Sequence, residues 1–134
     1  MSFTHPNLRR GALVGALAAR LLSPGLSMAA EVHHAGDLSY VCGGVGQGDL
    51  KALQARAAQF DLGFWMVEGP QGGYLADVPI EVQRHGKTVA RFTAGGPLCY
   101  LKAPAGRYTI LGQHNKQERR IDIDTGNKNA YLRW

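Results

Sequence analysis

The sequence predicts a mainly β domain of the α+β class: an antiparallel β-sandwich with one helix near its start. Three observations lead there. From residue 62 to residue 134, short runs rich in β-branched and aromatic residues alternate with Gly, Pro and Asn turns. Apolar residues within those runs recur with a period of two. Only Asp49 to Phe60 combines freedom from Pro and Gly with apolar residues at helical spacing, namely Leu50, Leu53, Ala57 and Phe60.

Before the first strand, residues 1–29 read as a signal peptide. Arg9-Arg10 supplies the charged region, Gly11 to Ala19 the apolar stretch, and Ser23-Pro24-Gly25 the breaker. Ser27 and Ala29 are small residues at −3 and −1 of a cut after Ala29; a cut after Ala30 is the alternative. The apolar stretch falls short of the roughly 20 residues that span a bilayer. Residues 30–134 are therefore expected as one exported domain, periplasmic or secreted, with no membrane span once the leader is removed.

Export changes the charge argument. The chain has 15 Lys+Arg against 10 Asp+Glu, a net +5, and losing Arg9, Arg10 and Arg20 leaves +2. No basic run with interleaved aromatics remains, so nucleic acid is not an expected partner. Cys42 and Cys99 both fall in the exported part, where an oxidising compartment predicts a Cys42–Cys99 disulfide. Two buried free thiols are the other arrangement.

Leu38 to Cys42 has the composition of a short strand, and Gly43, Gly44, Gly46 and Gly48 make the next segment a loop. Asp49 is placed to cap the helix that spans about 49–60. Leu62 to Val67 carries Leu62, Phe64 and Met66 on one face and Trp65 and Val67 on the other. That pattern describes a central strand covered on both sides, with the helix over one of them. Gly69 to Gly73 is a turn. Val78, Ile80 and Val82 alternate with Pro79, Glu81 and Gln83, which gives a strand with one wet face, and Pro79 implies an edge position or a bulge. Strands are expected at 88–92, 98–101, 107–111, 117–123 and 130–134, each preceded by a Gly, Pro or Asn turn.

In the second half, Ala76-Asp77-Val78-Pro79-Ile80 is followed by turns at Gly86 and Gly96-Pro97, by Pro104-Ala105-Gly106-Arg107-Tyr108-Thr109, and by a closing Leu132-Arg133-Trp134. Residues 74–134 thereby resemble the carboxypeptidase regulatory-like group of prealbumin-like β-sandwich domains. The opening Tyr40 to Gly46 plus helix is similar to small exported proteobacterial proteins of that type. The resemblance implies a prealbumin-like sandwich, non-catalytic, presenting loops or a sheet edge to a partner protein or glycan. Tyr108 and Ile110 are expected to point into the core.

Residues that could carry chemistry are few. The Gly43–Gly48 loop between strand and helix, with Glu68 about 20 positions on, imitates a dinucleotide fingerprint. Asp49 stands where the third glycine belongs, however, and would repel a pyrophosphate at the helix start. No second βαβ half follows, and no cofactor is expected. Ser39 is the one serine after residue 29, and no G-x-S-x-G exists. His33, His34, His85 and His114 lack metal-binding spacing. Only a cut after Ala30 would give His33 a role, as third residue of a Cu(II)-type amine terminus. Asp122 and Asp124 share a strand face with Arg120 and read as a wet, charged surface. A binding or accessory module for another envelope protein or a glycan is the expected function. Its contact loops are Gly43, Gly44, Gly46 and Gly48 on one side and Gly72 and Gly73 on the other. The alternative is a small periplasmic hydrolase or thiol enzyme using Cys42 or Cys99 with a histidine.

Overall fold

A computed structural model describes residues 30–134, and the expected signal peptide lies outside the described residues. Ten strands form two sheets: β1 His33–Ala35, β2 Leu38–Gly43, β3 Leu62–Glu68, β4 Gly73–Tyr74, β5 Val78–Arg84, β6 Lys87–Ala94, β7 Leu98–Lys102, β8 Arg107–His114, β9 Gln117–Asp124 and β10 Ala130–Arg133. The first sheet runs β1-β2-β7-β3-β10, with β4 added to β3; the second runs β6-β5-β8-β9. Helix α1, Gln47–Gln54, lies between β2 and β3.

Alternation decides which side chains meet between the sheets. The first sheet sends in Leu38, Leu62, Phe64, Met66, Cys99, Leu101 and Leu132; the second answers with Val78, Ile80, Val82, Ala90, Tyr108, Ile110 and Ile123. Tyr108 and Ile110 point inward as expected, 1% and 0% exposed. The Tyr108 hydroxyl donates to the Pro104 carbonyl at 2.7 Å and takes a hydrogen bond from Arg84 Nη1 at 3.2 Å. That bond fastens the Pro104-Ala105-Gly106 turn to the strand it introduces.

Trp65 and Val67 face the other way and join Val41, Leu53, Phe60, Leu98 and Tyr100 in a second apolar cluster outside the first sheet. The helix packs on this outer face mainly at β2, contributing Leu53 to the cluster shared with β3, and its limits differ from expectation. It starts at Gln47, after Gly46 at φ 85°, and Asp49 is not its cap: that carboxylate accepts the Gly44 N–H at 2.7 Å from within the first turn. The helix also ends at Gln54. A 3-10 turn, Ala57–Gln59, then delivers Phe60 onto Tyr100, ring centroids 5.9 Å apart. Ala55, Ala57 and Ala58 offer no bulky stripe to hold a longer α-helix on the sheet; Leu53 and Phe60 are its buried anchors.

Three further departures have local causes. β5 is a central strand, between β6 and β8, although it contains Pro79. Its ladder with β8 begins only at Ile80, so the missing N–H of Pro79 removes no bond on that side; an irregularity sits lower, between Val82 and Gln83. β10 runs parallel to β3, which breaks the antiparallel pattern held by all the other strand pairs among the described residues. Ahead of the first expected strand, His33–Ala35 forms β1, a hairpin arm in which His33 faces Tyr40 across the ladder.

Candidate functional site

Cys42 and Cys99 face each other in the ladder of β2 and β7 and are joined as a disulfide, Cα atoms 4.1 Å apart. Cys99 is completely buried in the inter-sheet core. The pairing removes both thiols, so a nucleophilic cysteine acting with a histidine has no thiolate to use while the bond is intact.

The glycine loop is a packed corner over half its length. Gly43 packs closely beside the Asp49 carboxylate and Leu53, and Gly44, at φ 101°, lies against Leu50 and Pro97. Gly46 and Gly48 face open space, with Val45 67% exposed between them and the packed pair. On the opposite turn, Gly69 N–H donates to the Trp134 carbonyl at 2.9 Å and its own carbonyl accepts from Gly72 at 3.1 Å. These backbone groups are therefore largely committed within the fold. Gly72 and Gly73 matter instead because they lead directly into Tyr74.

Polar constellations are sparse. Ser39 Oγ lies 3.0 Å from His34 Nδ1, a cross-strand pair of the first hairpin. This satisfies the first geometric demand of acyl transfer, but the described contacts show no group orienting the far nitrogen of His34. His33 stacks on Tyr40 at 5.3 Å, and Tyr40 stacks on Phe92 at 3.9 Å. His114 Nε2 pairs with Glu68 Oε2 at 3.1 Å and packs edge-on to Trp134, tying the two sheets together at one corner. His85 sits at φ 53° in the turn between β5 and β6. Among the described residues no group of three or more His, Cys, Asp or Glu could hold a metal.

The outer face of the second sheet is the expected wet surface. Asp122 accepts the Thr109 hydroxyl at 2.6 Å and Asp124 accepts Arg107 Nε at 2.9 Å. Glu81 gathers Thr88 Oγ1 at 2.6 Å, Gln83 Nε2 at 2.8 Å and Arg91 Nε at 3.3 Å. Thr88 and Gln83 lead in holding the Glu81 carboxyl below its usual range, and the Arg107 hydrogen bond does the same for Asp124.

The remaining feature is aromatic. The helix covers only the β2–β7 side of the outer cluster, and past it the sheet is capped by side chains alone. Trp65 on β3, 6% exposed, is stacked against Tyr74 on β4 (centroids 5.5 Å, planes 24° apart) and Tyr131 on β10 (6.1 Å, 13°). Tyr131 is the direct ladder partner of Trp65. The two tyrosines remain 58% and 48% exposed. Arg133 lies over the Tyr131 ring at 5.8 Å and donates Nη1 to the Gly69 carbonyl at 3.3 Å. Sequence reasoning placed Trp65 on this face and missed its neighbours. The alternation of Tyr131 and Arg133 against Ala130 and Leu132 could have shown one of them. Tyr74 carried no signal, because its two-residue strand is too short to have a period.

No family model and no curated protein matches the chain. Among solved structures, 5-hydroxyisourate hydrolase of Klebsiella pneumoniae is similar over 55% of this chain and 86% of that one, with 18% identity and a TM-score of 0.40. At that score neither family nor chemistry is transferred.

Proposed function

We propose that this protein is an exported, non-catalytic binding module of the prealbumin-like, carboxypeptidase regulatory-like type, acting on another component of the cell envelope. The observation that carries the reading is the stacked strip Tyr74–Trp65–Tyr131 on an otherwise buried sheet face. A fold that needed only burial would cover those rings, whereas tyrosines half in water beside a buried tryptophan are typical of recognition surfaces. The disulfide supports export, because such bonds persist in oxidising compartments. The C-terminal signature from Pro104 to Thr109 supports the family.

The test is a photoreactive amino acid in place of Tyr74, with a second at Arg120 on the polar face of the other sheet as control. Crosslinking in intact cells is expected to yield a reproducible adduct from position 74 and none from position 120. Equal labelling from both would remove the basis for the module. Recovery of the protein from the cytoplasm with residues 1–29 intact would remove the exported assignment.

A further inference from the structure

We infer that the aromatic strip takes an acidic glycan, with a pyranose ring packed on Tyr74 and a carboxylate held by Arg133 where it lies over Tyr131. The inference rests on the binding-module reading and deepens it. Size argues first. Taking about 200 Å² for an aromatic side chain, two tyrosines at 58% and 48% exposure offer on the order of 200 Å² between them. A stable protein interface needs about 800 Å² per partner with an apolar centre. The other large apolar side chains exposed among the described residues, Val32 and Val45, lie on different segments, before β1 and in the glycine loop. The strip is thus small for a protein and matches the apolar face of one or two sugar rings, whose C–H groups pack on aromatic rings while their hydroxyls stay wet.

Charge argues second. Arg133 makes no ion pair with a carboxylate among the described residues, and its known bonds are to the Gly69 carbonyl and the Tyr131 ring. Glu68, the nearest acid in sequence to the Gly69 turn, is already paired with His114. A planar guanidinium without a carboxylate partner, beside rings with exposed hydroxyls, is complementary to a sugar carboxylate. Trp65 beneath the strip supplies an optical reporter.

Affinity electrophoresis of the protein expressed from the full sequence tests this, in gels containing alginate (rich in uronic acid) or neutral dextran. Retardation is expected in alginate only, together with a change in tryptophan fluorescence. Tyr74→Leu and Tyr131→Leu keep an apolar cover over Trp65 and are each expected to weaken retardation at least tenfold. Arg133→Gln is expected to abolish the preference for alginate. Retardation in neither gel, or equal retardation in both, would overturn the inference, as would retardation unchanged in the leucine variants. A protein adduct at position 74 without glycan retardation would keep the module and remove the glycan.

Discussion

The two sheets solve the same burial problem by different means. The second, β6-β5-β8-β9, comes from one continuous run of chain with β7 set aside, and buries a single face. Its outer side is a lattice of paired polar groups centred on Glu81, Asp122 and Asp124. The first, β1-β2-β7-β3-β10, buries both faces of β3, where six of seven residues are buried, and staples β2 to β7 through Cys42–Cys99. A sheet with a second apolar face must cover it, and here the cover is incomplete. The recognition surface we propose sits at the gap left by α1.

This contrast predicts graded responses to substitution. The largest effect is expected from Phe64→Ala, in the strand enclosed on both faces. Removing that fully buried ring is expected to cost about 3–5 kcal/mol, read from urea unfolding midpoints. A loss below about 1 kcal/mol would mean that the double burial of β3 is not what stabilises the sheet.

Next comes the staple. Replacing both Cys42 and Cys99 by Ala is expected to cost about 2–4 kcal/mol, since the bond closes a 57-residue separation and restricts the unfolded chain. A dithiothreitol-dependent drop in the unfolding midpoint, absent in the double variant, would identify the bond as its cause.

In the second sheet a change can help. Lys116 holds φ 62° in the turn between β8 and β9, a left-handed conformation that costs a side-chain-bearing residue. Lys116→Gly is expected to stabilise by about 0.5–1 kcal/mol, through an Asn-Gly turn suited to a two-residue hairpin. Destabilisation instead would show that the lysine side chain has a partner outweighing its backbone strain.

The smallest effect belongs to the polar lattice, and acid erases it. Glu81 and Asp124 ionise below their usual range in the folded state. Their contribution is therefore present above the ordinary carboxylate pKa of about 4 and disappears as pH falls through the lowered native values. Glu81→Gln is expected to lower the unfolding midpoint slightly at pH 7 and to converge with the parent protein as pH falls toward 2, so that its stability falls less steeply in acid. An unchanged acid limb would exclude Glu81 as a contributor.

The same contrast governs what could be read from the sequence. Val78–Arg84 and Arg107–His114 show their alternation openly because one side of each faces water. In β3 the doubled apolar pattern was legible too, and with it the need for a cover. Strand neighbours were not: β7 inserts between β2 and β3, and β10 arrives parallel. Those choices are made by contacts across dozens of residues, which local composition does not encode. The paired cysteines followed from compartment and count. Of the glycines expected in loops, Gly44, Gly46, Gly69 and Gly72 do hold positive φ in connecting segments, whereas Gly43 and Gly73 end up in β2 and β4 and Gly48 in α1. The aromatic strip needed Tyr74, Trp65 and Tyr131 from three separated segments, so it exists only after folding.

The parallel strand β10 has a kinetic consequence. Leu132, fully buried, reaches its place only when Ala130–Arg133 docks on Phe64–Val67, across most of the described chain. The second sheet closes largely through the hairpins β5–β6 and β8–β9, whose partners are near neighbours in sequence. Short loops close at lower entropic cost, so the hairpin sheet is expected to gain protection first and the first sheet to complete last. Pulse-labelled hydrogen exchange during refolding should find amides of Val82 and Ile110 protected before that of Phe64, and the reverse order would refute it. A sheet that stays open until residues 130–133 dock leaves the apolar strand Leu62–Glu68 partly uncovered after the hairpins have formed, the stage at which a folding chain is most exposed to aggregation.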